Sequence, residues 1–220
     1  MVHGTTRGHS LNPPSLTAFS LLSFDMYRFN NPFDGWVSDR QQTPSIYGAL
    51  PYPGGSPNAP SSTLSSFTFT AFKPNIMNCT IMGPDSTPHM YIVTDPAMPT
   101  YTLFKNANNQ NIALIEWQQH PLVEVRGKLV KQEIRQWLSL SSDRKSRGMR
   151  IGGTNYSWSP YGETINLSTP TPHGTQSFVG RISRGRESII LEMASHAVQS
   201  DLHDVSIVAT FLLQCGRNID

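Results

Sequence analysis

Residues 65–71 alternate strictly. Phe67, Phe69 and Ala71 share one face and Thr68 and Thr70 the other, which is the period of a strand buried on one side. The same short pattern recurs over 78–82, 89–94, 100–105, 112–118, 122–125, 129–137, 155–158, 164–168, 177–183 and 188–194. Between these segments stand turn-formers such as Gly83-Pro84-Asp85, Asp95-Pro96, Gly152-Gly153, Pro160-Tyr161-Gly162 and Arg184-Gly185-Arg186. So many short strands at close spacing predict a mainly β fold: a closed or nearly closed antiparallel β-barrel of about ten to twelve strands, because closure removes exposed edges.

The pattern changes at the end of the chain. Residues 202–215 are apolar on nearly every face: Val205, Val208, Ala209 and Leu212 make one helical stripe, while Ile207, Phe211 and Leu213 fall outside it. Asp201 is placed to cap this helix, Asp204 suits the positive end of its dipole, and Gly216 followed by Arg217 stops it. A helix without a polar face must be surrounded. Crossing a bilayer takes about 20 apolar residues, and this run is shorter and is interrupted by Thr210 and Gln214, so the strands must enclose it. Truncating Phe211 to alanine should cost about 3–5 kcal/mol.

Composition divides the chain. Residues 1–64 are rich in Pro, Ser, Gly and Asn and read as a flexible arm, relieved by an aromatic patch of Phe24, Tyr27, Phe29, Phe33 and Trp36 that could dock on the domain or on a partner. Residues 65–220 form the domain. A charged fraction of only 15% with 17 prolines and 16 glycines argues for turns and strands over a helical bundle. The formal charge of +2 gives no reason to expect a nucleic-acid partner. Cys79 and Cys215 are expected as reduced core thiols, and the apolar patch 16–24 lacks the marks of a secretory leader. The expected location is therefore intracellular, cytoplasmic or nuclear or peripheral to a membrane, without a transmembrane span. In that setting the sequons at Asn78, Asn155 and Asn166 are chance matches. Two hairpins, 101–117 and 178–193, share a pattern in which a single Glu follows a mostly apolar arm, a hint of internal duplication.

Candidate chemistry is sparse. Arg144, Lys145, Arg147 and Arg150 crowd one basic segment around a single acid, Asp143, and Arg181, Arg184 and Arg186 mark a second. Guanidinium groups suit phosphate, so these residues would hold an anionic head group if both loops lay at one end of the barrel; the plainer reading is two solvated turns. No motif for a metal, cofactor or nucleophile is present, so none of the three is expected. His89 near Asp85 and His203 beside Asp204 are the two conceivable acid–base pairs. Glu116 and Glu192, on otherwise apolar strands, point outward by alternation or turn inward to an arginine. Trp117, Trp137 and Trp158 read as packing within strands.

The strand series followed by a helix with no polar face resembles the tubby C-terminal-like superfamily, in which a β-barrel is threaded by a hydrophobic helix. Within it the chain resembles a fungal domain family of unknown function through Tyr91-Ile-Val-Thr94, Ile112-Ala-Leu-Ile-Glu-Trp117, Arg135-Gln-Trp-Leu138, Tyr156-Ser-Trp158 and Ala209-Thr-Phe-Leu-Leu-Gln-Cys-Gly216. The resemblance implies several functions: phosphoinositide head-group binding in classical tubby domains, membrane action in scramblase-like relatives, and defence responses in the plant LURP-one-related barrels. The head-group motif of tubby proper is not recognisable in this chain. Fold analogy does not supply function. The sequence thus favours a non-enzymatic binding or scaffold module for anionic phospholipid. The alternatives are a protein-interaction module acting through the N-terminal arm, and an enzyme with a histidine–carboxylate pocket.

Overall fold

The computed structural model describes Met1 and residues 64–172, 174–200 and 202–220. The proposed arm and its aromatic patch therefore lie outside the described residues apart from Met1 and Leu64, and so does the Asp201 cap. In chain order the elements are β1 (Leu64–Thr70), β2 (Cys79–Met82), β3 (Pro88–Val93), β4 (Tyr101–Asn106), β5 (Asn111–Glu116), β6 (Leu122–Val125), β7 (Leu129–Glu133), α1 (Ile134–Trp137), β8 (Leu138–Leu140), β9 (Arg147–Ile151), β10 (Thr154–Tyr161), β11 (Thr164–Pro170), β12 (Gln176–Arg184), β13 (Ile189–Ala194), α2 (Ser195–Gln199) and α3 (Leu202–Gln214).

All thirteen strands join one antiparallel sheet in the order β7-β6-β5-β4-β3-β2-β1-β13-β12-β11-β10-β9-β8. The expected closed barrel of about ten to twelve strands is corrected on both points: there are thirteen strands, and the sheet is open between β7 and β8. Parity accounts for the gap. Neighbours alternate in direction, so an odd number of strands leaves the two edges running the same way, and an antiparallel ladder cannot form between them. The single turn of α1 links the two edge strands and buries Ile134 and Trp137.

Alternation turns one face of the sheet inward. Phe67, Phe69, Ile81, Met90, Ile92, Phe104, Ile115, Val123, Met149, Trp158, Ile165, Leu167, Ile182, Leu191 and Met193 form one core with Val205, Ile207, Phe211 and Leu212 of α3. Every residue of α3 except His203 and Asp204 is buried, as a helix without a polar face requires. Its side chains reach partners right across the sheet. Phe211 packs edge-on to Phe104 of β4 at 5.2 Å, and His203 stacks on Phe67 of β1. Gln214 bonds Arg184 of β12, and Asp220, just past the helix, bonds Arg147 of β9. Only a sheet curled round the helix can make all of these contacts. Gly216 takes φ +70°, the left-handed stop expected at the C-terminus of α3.

Two expectations about elements fail for local reasons, and one element has no counterpart in the sequence reading. The supposed strand over 129–137 breaks at Glu133, where the chain turns into α1. The basic segment expected as a loop contains β9, whose inward positions are Arg147 and Met149; an arginine at a core position hides the alternation. Helix α2 was not foreseen. Of the tryptophans, Trp158 packs within its strand, Trp137 packs from α1, and Trp117 lies just past β5. Cys79 and Cys215 are not joined in a disulfide, and the Cys215 thiol donates to the Leu212 carbonyl.

Because neighbouring strands alternate in direction, every hairpin turn between adjacent strands can be assigned to an end of the sheet, named after the helix that the chain enters there, α1 after β7 or α2 after β13. The turns at 141–146, 162–163 and 185–188 lie at one end, here the α1 end; those at 83–87, 107–110, 126–128, 152–153 and 171–175 lie at the other, the α2 end. Helix α3 runs from the α2 end to the α1 end.

Candidate functional site

The two basic turns do share the α1 end, but four strand spacings separate the β8–β9 turn from the β12–β13 turn. That is about 19 Å along the sheet, well beyond the screening length of about 8 Å at physiological salt. Acids also accompany the cations. Asp143 and Glu187 share those turns with Arg144, Lys145 and Arg186, and Glu163 sits in the β10–β11 turn between them, so the three turns together carry no net charge. Hydrogen bonds from the Ser141 hydroxyl and the Lys145 amide hold Asp143 below the usual carboxylate range.

Three of the seven basic candidates are committed to the fold. Arg147 is fully buried and donates to the Leu138 carbonyl at 2.9 Å and to both Asp220 carboxylate oxygens at 2.9 and 2.6 Å. Arg181 bonds Glu192 across the β12–β13 ladder at 2.5 Å. Arg184 bonds the Gln214 side chain at 3.0 Å. Arg150 is exposed on β9, toward the α2 end. Of the seven candidates, Arg144, Lys145 and Arg186 are left as exposed cations at the α1 end with no side-chain partner among the described residues, while Arg184 is exposed but tied to Gln214. Glu192 and Glu116 both point outward and each meets a cation there, with Lys131 at 2.5 Å from Glu116.

The α2 end differs. On the outer face of β4 to β6 an open depression of about 540 Å³ is lined by Lys105, Asn109, Gln110, Asn111, Ile112 and Arg126. It contains two cations, three carboxamides and no acid. Among the described residues neither the Lys105 ammonium nor the Arg126 guanidinium has an acidic partner. A smaller, less open depression continues from Asn111 and Arg126 along Leu103, Ala113 and Leu114 to Glu124. No sequence motif marked this site: Lys105 and Arg126 are 21 positions apart, and only the pairing of β4 with β5 and of β5 with β6 unites them.

At the same end, the two acid–base pairs read from the sequence merge into one cluster. The Nε2 atoms of His203 and His89 lie 3.3 and 3.9 Å from Asp204 Oδ1, while Lys128 Nζ lies 2.6 Å from Oδ2. Burial, and next the neighbouring His203, push His89 below the ordinary histidine range, against the pull of Asp204 and Asp85. Neither of the two depressions on β4 to β6 includes these residues.

The chain belongs to a family of unknown function, DUF6593, whose model matches residues 74–217. Among curated proteins none matches. Of solved structures, an X-ray structure of a protein from Arabidopsis thaliana is similar at 7% identity with a TM-score of 0.35, covering 67% of this chain and 91% of that one. Among the described residues no helix is long and apolar enough to cross a membrane.

Proposed function

We propose that the domain is a non-enzymatic binding module for phosphate-bearing anions, with its contact surface on the outer face of β4 to β6. The observation that carries this reading is the acid-free depression between Lys105 and Arg126. A guanidinium and an ammonium without acidic partners keep their full attraction for phosphate, and carboxamide N–H groups add directional bonds. The internal pairs of Arg147, Arg181 and Arg184 weaken the earlier reading, which drew on both basic loops. Arg144, Lys145 and Arg186 keep a supporting role as a second, weaker surface. Assignment to the tubby-like barrels of fungi belongs to the same proposal and rests on the curled sheet around a helix buried on all sides.

The test separates head group from free phosphate. The full chain is sedimented with phosphatidylcholine vesicles, alone or doped with phosphatidylinositol bisphosphate, and with inositol hexakisphosphate as a soluble competitor. Recovery should rise with the doped vesicles and fall with the competitor. At about 1 kcal/mol per cation near an anionic surface, K105Q/R126Q should lower partitioning about 30-fold. The R144Q/K145Q/R186Q variant should lower it less. Equal recovery with neutral and doped vesicles at low salt sinks the membrane reading. Competitor binding that K105Q/R126Q leaves unchanged sinks the site.

A further inference from the structure

Three donor groups meet where α3 begins. His89 lies near the start of β3, and His203 and Asp204 stand in the first turn of α3. One ligand atom from each lies within 4.8 Å of the other two. We propose that this triad binds a divalent transition-metal ion, zinc being the ion that two imidazoles and a carboxylate suit, with solvent in the fourth position. The proposal is independent of anion binding on β4 to β6.

Metal–ligand bonds of about 2.0–2.1 Å set the edge of a tetrahedral site near 3.3 Å. The separation of 3.3 Å between His203 Nε2 and Asp204 Oδ1 already meets that edge, and the 3.9 Å from His89 exceeds it by about the swing of one side chain. Neither imidazole makes a hydrogen bond among the described residues, so neither Nε2 lone pair is spent on the protein. Phe67 fixes both rings: His203 stacks on it at 5.7 Å with planes 3° apart, and His89 tilts against it at 5.1 Å. The side chains of His89, His203 and Asp204 are 32%, 16% and 23% exposed, which gives an ion a path from solvent.

Lys128 competes for the same carboxylate. It holds Oδ2 and leaves Oδ1 turned toward the two histidines. Its positive charge near the site must weaken metal affinity, and Asp85, in the turn before β3, partly offsets it. A lysine that only completed a structural ion pair would make the opposite contribution. This difference in sign supplies the discriminating variant.

The full chain is titrated with zinc chloride by calorimetry, and with cobalt(II), whose visible bands report four-coordination. One equivalent should bind. H89Q/H203Q should weaken binding by at least about tenfold, and H89Q alone should do the same if the double variant fails to fold. H120Q/H196Q, which changes two histidines away from the cluster, should leave binding unchanged. K128Q should tighten it several-fold. Failure of the wild type to bind zinc at submillimolar concentration overturns the proposal, as does full-strength binding by H89Q or a K128Q variant that binds more weakly than the parent.

Discussion

The two ends of the sheet treat charge in opposite ways. At the α1 end the polar groups beside the end of α3 are locked to the fold: Arg147 holds Asp220 and the Leu138 carbonyl, Arg184 holds Gln214, and Arg217 lies over the Trp117 ring at 4.6 Å. At the α2 end Lys105 and Arg126 face an open depression, and two imidazoles crowd one carboxylate. A charge held by partners within the fold, as Arg147 is even with its Nε unpaired, is part of the scaffold, whereas half-exposed groups that converge with lone pairs to spare can still take a ligand. Counting basic residues along the sequence points to the first end. Asking which of them lack partners points to the second.

The largest effect should come from the element both ends share. Phe211 is fully buried in the last turn of α3 against Phe104 and Trp117. Phe211→Ala should lower unfolding free energy by about 3–5 kcal/mol in urea denaturation, and ligand binding at the α2 end should be lost together with the fold. A loss below about 1 kcal/mol would mean that the helix is not the centre of the core.

Next come single contacts at each end. Asp220→Ala leaves the Arg147 guanidinium buried opposite only a carbonyl, and should cost about 3 kcal/mol. Lys128→Ala removes an ion pair whose side chains are 22% and 23% exposed, and should cost less than about 1 kcal/mol. Similar costs for the two would erase the contrast between the ends.

Legibility in the sequence follows the same division. The enclosed helix is readable because apolar residues on all its faces exclude water, and eleven of the thirteen strands because period-two alternation is a local signal. Open topology was not readable, since parity depends on the exact strand count, and β8 and β9 were concealed by three-residue length and by an inward Arg147. The basic residues were visible but not their pairing: Arg147 and Asp220 are 73 positions apart. His203–Asp204 was visible as neighbours in sequence, while His89 and Lys128 join them only through the tertiary fold. Local periodicity yields elements; long-range partners decide which charges remain available.

The smallest effect concerns the two thiols. Cys79 is buried on β2, and burial pushes its thiol from an ordinary 9.0 up to about 12, while Cys215 beyond α3 is only half-buried. Thiolate is the reactive form, so at pH 8 a thiol reagent should label Cys215 at most and leave Cys79 untouched until the chain unfolds. The linkage has a definite sign. Above pH 9 the unfolded chain releases the Cys79 proton while the folded one keeps it, so stability should decline as pH rises from about 9 toward 12, and Cys79→Ser should flatten that decline. Rapid labelling of Cys79 in the folded chain at pH 8 would place β2 outside the core and break the enclosure on which the contrast between the two ends depends.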